Sequence, residues 1–261
     1  MMFDVDFKDK QALILRRYKK DIYFHTIKEF SPTNNLINLD KQIKQLESNT
    51  LAFLDSFPAF NAILWGARGC GKSSTARFVL KKFLDSRKEF RVIQMSGDDI
   101  KLLPFLVDYL RDLKEFKFVI FFDDLSIKLE SSAYKSIKSL LEGSLEAFAD
   151  NIKIYATSNV RRILENPNDE SDSAKIEENL SFGDRFPLQI AFYSLGAREF
   201  LGIVYEKLKE NNLINCTLDE FLELDSFASF RNNAFNFAAI LGNRSPRSAN
   251  DFVKSLMLES R

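Results

Sequence analysis

The 261-residue chain is poor in the residues that build most metal and redox centres: it has one histidine and two cysteines. His25 alone rules out a site with two or more histidine ligands, including the zinc-protease motif. Cys70 and Cys216 lie far apart and form no paired zinc or redox motif. A disulfide scaffold is unnecessary in a chain long enough to bury a full core. Charge of one sign is missing too: 37 Lys plus Arg meet 37 Asp plus Glu, which argues against a general polyanion binder. No apolar run reaches the 18 or so residues of a membrane span. The first candidate, Ala12-Leu13-Ile14-Leu15, ends at Arg16-Arg17, so no secretory leader is read and a cytoplasmic location is expected. Any chemistry must run on carboxylates, Lys, Arg, hydroxyls, backbone amides and a borrowed cofactor.

What is present is ordinary globular material, 45% apolar and 28% charged, with 26 Phe. Residues 7–28 read as a helix carrying Leu13, Ile14, Ile22 and Phe24 among many cations, stopped at Ser31-Pro32. A second helix is expected from Asp40 through Ile43, Leu46, Leu51 and Leu54, stopped by Phe57-Pro58. From residue 60 short apolar runs alternate with helical patterns. The strands expected are 62–65, 90–95, 118–122, 152–157 and 188–193, with helices over 72–86 and about 131–147 and a short one capped at Asp98-Asp99. This alternation implies a parallel sheet flanked by helices. Beyond residue 196 the strands give way to helices over 197–210, 217–230 and 246–258. The organisation expected is an N-terminal extension (1–35), an α/β nucleotide domain (36–195) and a small helical lid (196–261).

The strongest signal is Gly66-Ala67-Arg68-Gly69-Cys70-Gly71-Lys72-Ser73, a full match to G-x-x-x-x-G-K-[ST]. By composition alone such a match occurs in roughly one chain in a hundred of this length. Here it also stands between an apolar strand and a helix, as a phosphate loop must. Its glycines let consecutive N–H groups turn inward on phosphate oxygens, and the helix start adds positive potential. The loop through Ser74 is the expected phosphate cradle. Lys72 reaches the β- and γ-phosphates, and Ser73 is a ligand for Mg²⁺.

Two further elements follow in order. The apolar strand 118–122 ends in Asp123-Asp124, which delivers two carboxylates to the carboxyl edge of the sheet. Asp123 suits the metal and Asp124 the attacking water; a pair capping the next helix is the plainer reading. The strand 152–157 ends in Thr157-Ser158-Asn159, where a neutral amide can bond the γ-phosphate or the water.

With these elements in order, the chain resembles an AAA+ ATPase. The resemblance implies that Arg185, in Asp184-Arg185-Phe186, is an arginine finger acting on a neighbouring subunit's γ-phosphate. It also implies that Arg247, in Arg244-Ser245-Pro246-Arg247, is the lid's sensor arginine, with Arg244 as the fallback. More closely, the chain is similar to a bacterial AAA+ family of predicted ATP-binding proteins called domain of unknown function eight-fifteen. The matching pieces include Leu64-Trp65-Gly66-Ala67-Arg68-Gly69, Asp123-Asp124-Leu125-Ser126, Ile154 to Asn159 and Leu180 to Phe186. Two departures stand out: Asp124 replaces the usual Glu, and Asn38 replaces the usual Gly in Leu36-Ile37-Asn38-Leu39-Asp40, the segment on the adenine side.

The expectation is therefore an ATP- and Mg²⁺-dependent ATPase that forms a homo-oligomer through Arg185 and acts on a protein or nucleic-acid partner, with no membrane role. An ATP-gated switch with little turnover is the alternative, and a P-loop kinase the more distant one. Four weaker signals have two readings each. The cations Lys10, Arg16, Arg17, Lys19, Lys20 and Lys28 mark a solvated helix face or a nucleic-acid or partner surface. The acidic stretch 165–179 is a loop or an intersubunit contact, and Arg161-Arg162 face a neighbouring subunit or cap the next helix turn. Cys70 is either an oxidisable thiol or a small residue that fits.

Overall fold

The computed structural model describes residues 3, 5–19, 21–30, 36–125, 147–159 and 185–259. Seven strands form one sheet in the order β2-β1-β4-β5-β6-β3-β7. They are β1 (Ala12–Tyr18), β2 (Asp21–Thr26), β3 (Ala62–Gly66), β4 (Phe90–Met95), β5 (Lys117–Phe122), β6 (Ile152–Ser158) and β7 (Leu188–Phe192). The pairs β1–β4, β4–β5, β5–β6 and β6–β3 are parallel, and β1–β2 is antiparallel. The helices are α1 (Asp40–Leu54), α2 (Lys72–Ser86), α3 (Leu103–Arg111), α4 (Ala197–Glu210), α5 (Leu218–Glu223), α6 (Ala228–Ile240) and α7 (Pro246–Glu259). No helix among the described residues is long and apolar enough to cross a membrane.

The chain divides into two compact units. One comprises Met1–Asn34, Asp40–Trp65 and Ser73–Ala191; the other comprises Asn35–Leu39, Gly66–Lys72 and Phe192–Arg261. In the first unit, β5 is buried on both faces, Phe118 to Phe122 being at most 3% exposed. Ile120 of β5 and its neighbours Ile93 and Ile154 join Leu103, Leu106, Val107 and Leu110 of α3 in one core. The 3₁₀ turn before α3 is capped by Ser96, which accepts from the Asp98 N–H, and not by Asp98-Asp99 as expected. Asp99 instead receives the Arg17 guanidinium.

On the other sheet face a polar joint fixes α1. Tyr155 is fully buried, and burial pushes its phenol up to about 12. Thr50 already donates to the Leu46 carbonyl (2.7 Å), so the Tyr155 hydroxyl donates to Thr50 Oγ1 (2.9 Å) and accepts from Asn49 Nδ2 (3.0 Å). Every atom of the joint is satisfied, as burial of this much polarity requires.

Residues 7–28 are not the expected helix but the β1–β2 hairpin, so the helical extension is corrected. Leu13 and Leu15 of β1 and Ile22 and Phe24 of β2 share one face at period two, and in register Leu15 faces Phe24 and Arg17 faces Ile22. Tyr18 and Asp21 close a two-residue turn whose first residue, Lys19, has φ 54°. The turn ahead of it is held by Arg91, which is 2% exposed. Its guanidinium donates to the carbonyls of Phe7 (2.6 Å), Lys88 (2.6 Å), Phe90 (2.8 Å) and Lys8 (3.4 Å) and lies 4.3 Å over the Phe116 ring. Burial lowers its pKa, with Glu89 opposing.

The second unit has its own core of Phe200, Val204, Leu208, Phe221, Phe252 and Val253. The expected helix 217–230 is broken into α5, a 3₁₀ turn and the start of α6, because Leu224 is extended (ψ 138°). Arg231 satisfies the freed end by donating to the carbonyls of Phe221 (2.6 Å) and Leu224 (2.9 Å). The helix expected over 131–147, apart from its last residue, lies outside the described residues. So do the acidic stretch 165–179, Arg161, Arg162 and Asp184.

Candidate nucleotide site

In the second unit the loop Gly66–Lys72 is shaped by steric fit. Gly66 has φ 131°, and a Cβ there would stand 1.9 Å from the Phe192 carbonyl oxygen, which also accepts the Ala67 N–H at 3.1 Å. No side chain can occupy that position. At Gly69 (φ 76°) a Cβ would meet Ser245 Oγ at 2.6 Å and Arg247 Cβ at 3.3 Å. The stem of Arg247 therefore stands beside the loop within this unit, with an exposed side chain at the start of α7. Ser245 sets that placement. It is 1% exposed and accepts the Ser248 N–H at 3.2 Å, while its own N–H is received by Ser248 Oγ at 2.9 Å. Sequence reasoning passed over Ser245 and Ser248, although Ser-Pro before a helix is a start signal.

Lys72, 6% exposed, donates from Nζ to the Gly66 and Ala67 carbonyls, both at 2.7 Å. A buried ammonium needs such partners, and these carbonyls hold it over the loop. Cys70 is 4% exposed, and burial raises its thiol pKa against the opposing pull of Lys72. Of its two readings, the small residue that fits is the one the structure supports. Arg68 is exposed and Ser74 half-buried. Asn38 has φ 60°, a left-handed conformation that Asn tolerates better than most residues, so the exchange for Gly has a physical basis. Leu39 is buried at 9% and would meet a Gly71 Cβ at 2.6 Å; Ile37 packs on the helical core.

In the first unit a hydrogen-bond chain replaces steric fit. Ser73, the residue after the loop's lysine, donates to Asp123 Oδ1 at 2.5 Å. Thr157 Oγ1 donates to the same oxygen at 2.8 Å and accepts the Asp124 N–H at 2.8 Å. Asp124 takes φ 58°, and its carboxylate accepts from Asn159 Nδ2. The ends of β5 and β6 thus bring Ser73, Asp123, Asp124 and Asn159 into one cluster, as their order along the chain implied. Two members were missed. Thr157 was visible only as a strand end. Arg77 lies one helical turn after Ser73, where it donates from Nε to the Ser73 carbonyl (3.1 Å) and stands 3.6 Å from Asp123 Oδ2. Its i,i+4 spacing was the available signal.

Arg185 is half-buried. Its backbone is fixed by Phe186, fully buried in the sheet core, and by Asn61 Nδ2, which donates to the Arg185 carbonyl at 3.3 Å. The hydroxyl of Ser73 and the carboxylate of Asp123 are hard oxygen donors, the kind a Mg²⁺ ion takes alongside phosphate.

Among solved structures, a point mutant of RuvB from Thermotoga maritima matches with a TM-score of 0.50 at 12% identity, over 82% of this chain and 61% of its own. A chain in the E. coli MS115-1 HORMA:CdnC:Trip13 complex matches with a TM-score of 0.53 at 11% identity, over 88% of this chain and 93% of its own. The present chain thus spans less than two thirds of the RuvB chain. At such identities the likeness is one of fold, the AAA+ P-loop NTPase fold. Comparison with curated proteins finds no matching sequence. The family model described as protein of unknown function (DUF815) matches residues 8–260, and the chain belongs to that family.

Proposed function

We propose that the protein binds ATP and hydrolyses it to ADP and phosphate in a Mg²⁺-dependent reaction, coupling turnover to a conformational change on a partner. The observation that carries this reading is the chain Ser73–Asp123–Thr157–Asp124–Asn159, since a phosphate loop alone implies binding without chemistry. The loop Gly66 to Ser74 receives the phosphates, and Lys72 exchanges its loop carbonyls for β- and γ-phosphate oxygens. Ser73 and Asp123 hold Mg²⁺, which when bound neutralises phosphate charge. Asp124 accepts a proton from the attacking water, whose oxygen displaces ADP from the γ-phosphorus. Asn159 orients that carboxylate and the water.

Arg247 supports the phosphates from the lid. Arg185 acts on the γ-phosphate of a neighbouring copy, so turnover depends on homo-oligomer formation. Phosphate release and binding of a fluorescent ATP analogue test the assignment. Asp124→Asn is expected to keep binding within about threefold and to lose turnover by about a hundredfold or more. Arg185→Ala is expected to lose turnover only at concentrations where the protein assembles. Unchanged turnover in both variants would sink the assignment.

A further inference from the structure

The β1–β2 hairpin has two unlike faces. Leu13, Leu15 and Phe24 point into the core shared with α3, and Arg17, on the same side, is held by Asp99. The opposite face carries Arg16, Tyr18, Tyr23 and His25, with Arg16 directly across from Tyr23 and Tyr18 across from Asp21. Tyr18 is 65% exposed and Tyr23 46%; Arg16 and His25 are also exposed. No side chain of Arg16, Tyr23 or His25 has a hydrogen-bond or ion-pair partner among the described residues. Lys19, at the turn, lies 5.4 Å over the Tyr18 ring, and Lys28 is exposed just past β2. The turn itself is unusual: a two-residue hairpin favours Asn-Gly, yet this one opens on Lys19, which takes the left-handed region.

Two phenol rings on a strand surface, diagonal to one another and bordered by cations, suit one chemistry above others. Successive unpaired bases stack on aromatic side chains while Lys and Arg take the phosphates. A wholly ionic partner such as an acidic peptide needs the cations but not the rings. A duplex hides its base faces. We infer that the outer face of this hairpin binds single-stranded nucleic acid, with Tyr18 and Tyr23 stacking on bases and Arg16 and Lys19 on the backbone. Asp21 and Glu29 are the acids nearest in sequence, and they cap the strength of the electrostatic part. The overall zero charge does not oppose this, because Arg16 and Lys19 stand exposed at this face beside a single acid, Asp21. This inference rests on the hairpin alone and is independent of ATP hydrolysis.

Fluorescence anisotropy of a labelled oligothymidylate of about 20 nucleotides, titrated with the full chain, tests it. The expected result is binding at about 50 mM salt that weakens steeply towards about 200 mM. The pair Tyr18→Ala/Tyr23→Ala is expected to weaken it at least about tenfold, with Tyr18→Phe/Tyr23→Phe staying near the parent. Arg16→Glu is expected to weaken it and flatten the salt dependence. Thermal melting of each variant, unchanged for such exposed positions, guards against misfolding. Oligouridylate in place of the DNA strand separates RNA from DNA as the source of the single strand. Three results each overturn the inference: no binding at low salt, equal binding by the alanine pair, or competition by a blunt duplex or polyglutamate as strong as by the single strand.

Discussion

The phosphate loop of one compact unit and the carboxylate cluster of the other are held by different means. In one, the loop Gly66–Lys72 is fixed by what cannot be there: a Cβ on Gly66 would overlap a backbone oxygen of Phe192. In the other, Asp123 and Asp124 are fixed by hydrogen bonds: their carboxylates accept from the Ser73 and Thr157 hydroxyls and the Asn159 amide, and the Asp124 N–H donates to Thr157. Steric fit leaves little room for adjustment, whereas a hydrogen-bond chain can lose a member and still keep its shape. The lesson is that binding and chemistry are specified separately. Damage to the first should abolish binding, and damage to the second should spare binding and slow the reaction.

The sharpest way to break this contrast is Gly66→Ala. It should remove nucleotide binding and cost about 3 kcal/mol or more, because backbone must move. Gly69→Ala should cost less, because its nearest obstacle is a side-chain hydroxyl at 2.6 Å (Ser245 Oγ), whereas at Gly66 it is a backbone oxygen at 1.9 Å. Denaturant titration and analogue binding measure both, and equal effects would show that the loop is softer than its geometry implies.

Thr157→Val comes next. It strands the Asp124 N–H and removes one donor from Asp123, a loss of about 1–3 kcal/mol. Turnover is expected to fall while analogue binding stays within about threefold. A loss of binding equal to the loss of turnover would dissolve the separation between the two halves.

The smallest effect sits away from the site, at the start of α5. Glu220 is held below the ordinary carboxylate range by the backbone N–H of Thr217 and then by its hydroxyl. A lowered carboxylate pKa makes its contribution present above the unfolded value of 4.5 and lost as pH falls through the folded one. Melting followed from neutral pH to below pH 4.5 should therefore converge for the parent and Glu220→Gln. A constant gap would show that the contact is not ionic.

How much of this was legible in the sequence differs by element. The parallel strands and α2 were readable because buried strands are continuous apolar runs and Gly66 to Ser73 punctuates one of them. The cluster of carboxylates was readable from its order. The hairpin was not: Arg16-Arg17 interrupts the alternation, and Lys19-Lys20 offers none of the usual turn residues, so a helix seemed the simpler reading. Leu224 was equally silent, since nothing local says that Arg231 will close the end of α5 seven residues ahead. Thr157 and Arg77 act through atoms brought close only by folding, and no spacing rule reports a bond from one strand end to the next.

Arg91 has a consequence for what this protein can shed. Its guanidinium is satisfied by carbonyls, two of them from Phe7 and Lys8, so the opening segment completes the solvation of a cation beneath the sheet. Trimming those residues would leave a charge stranded in the interior, a loss on the order of 3–5 kcal/mol when a buried charge is deprived of its partners. The turn at Phe7 and Lys8 is thus compulsory, and a variant without it would have to replace Arg91 first.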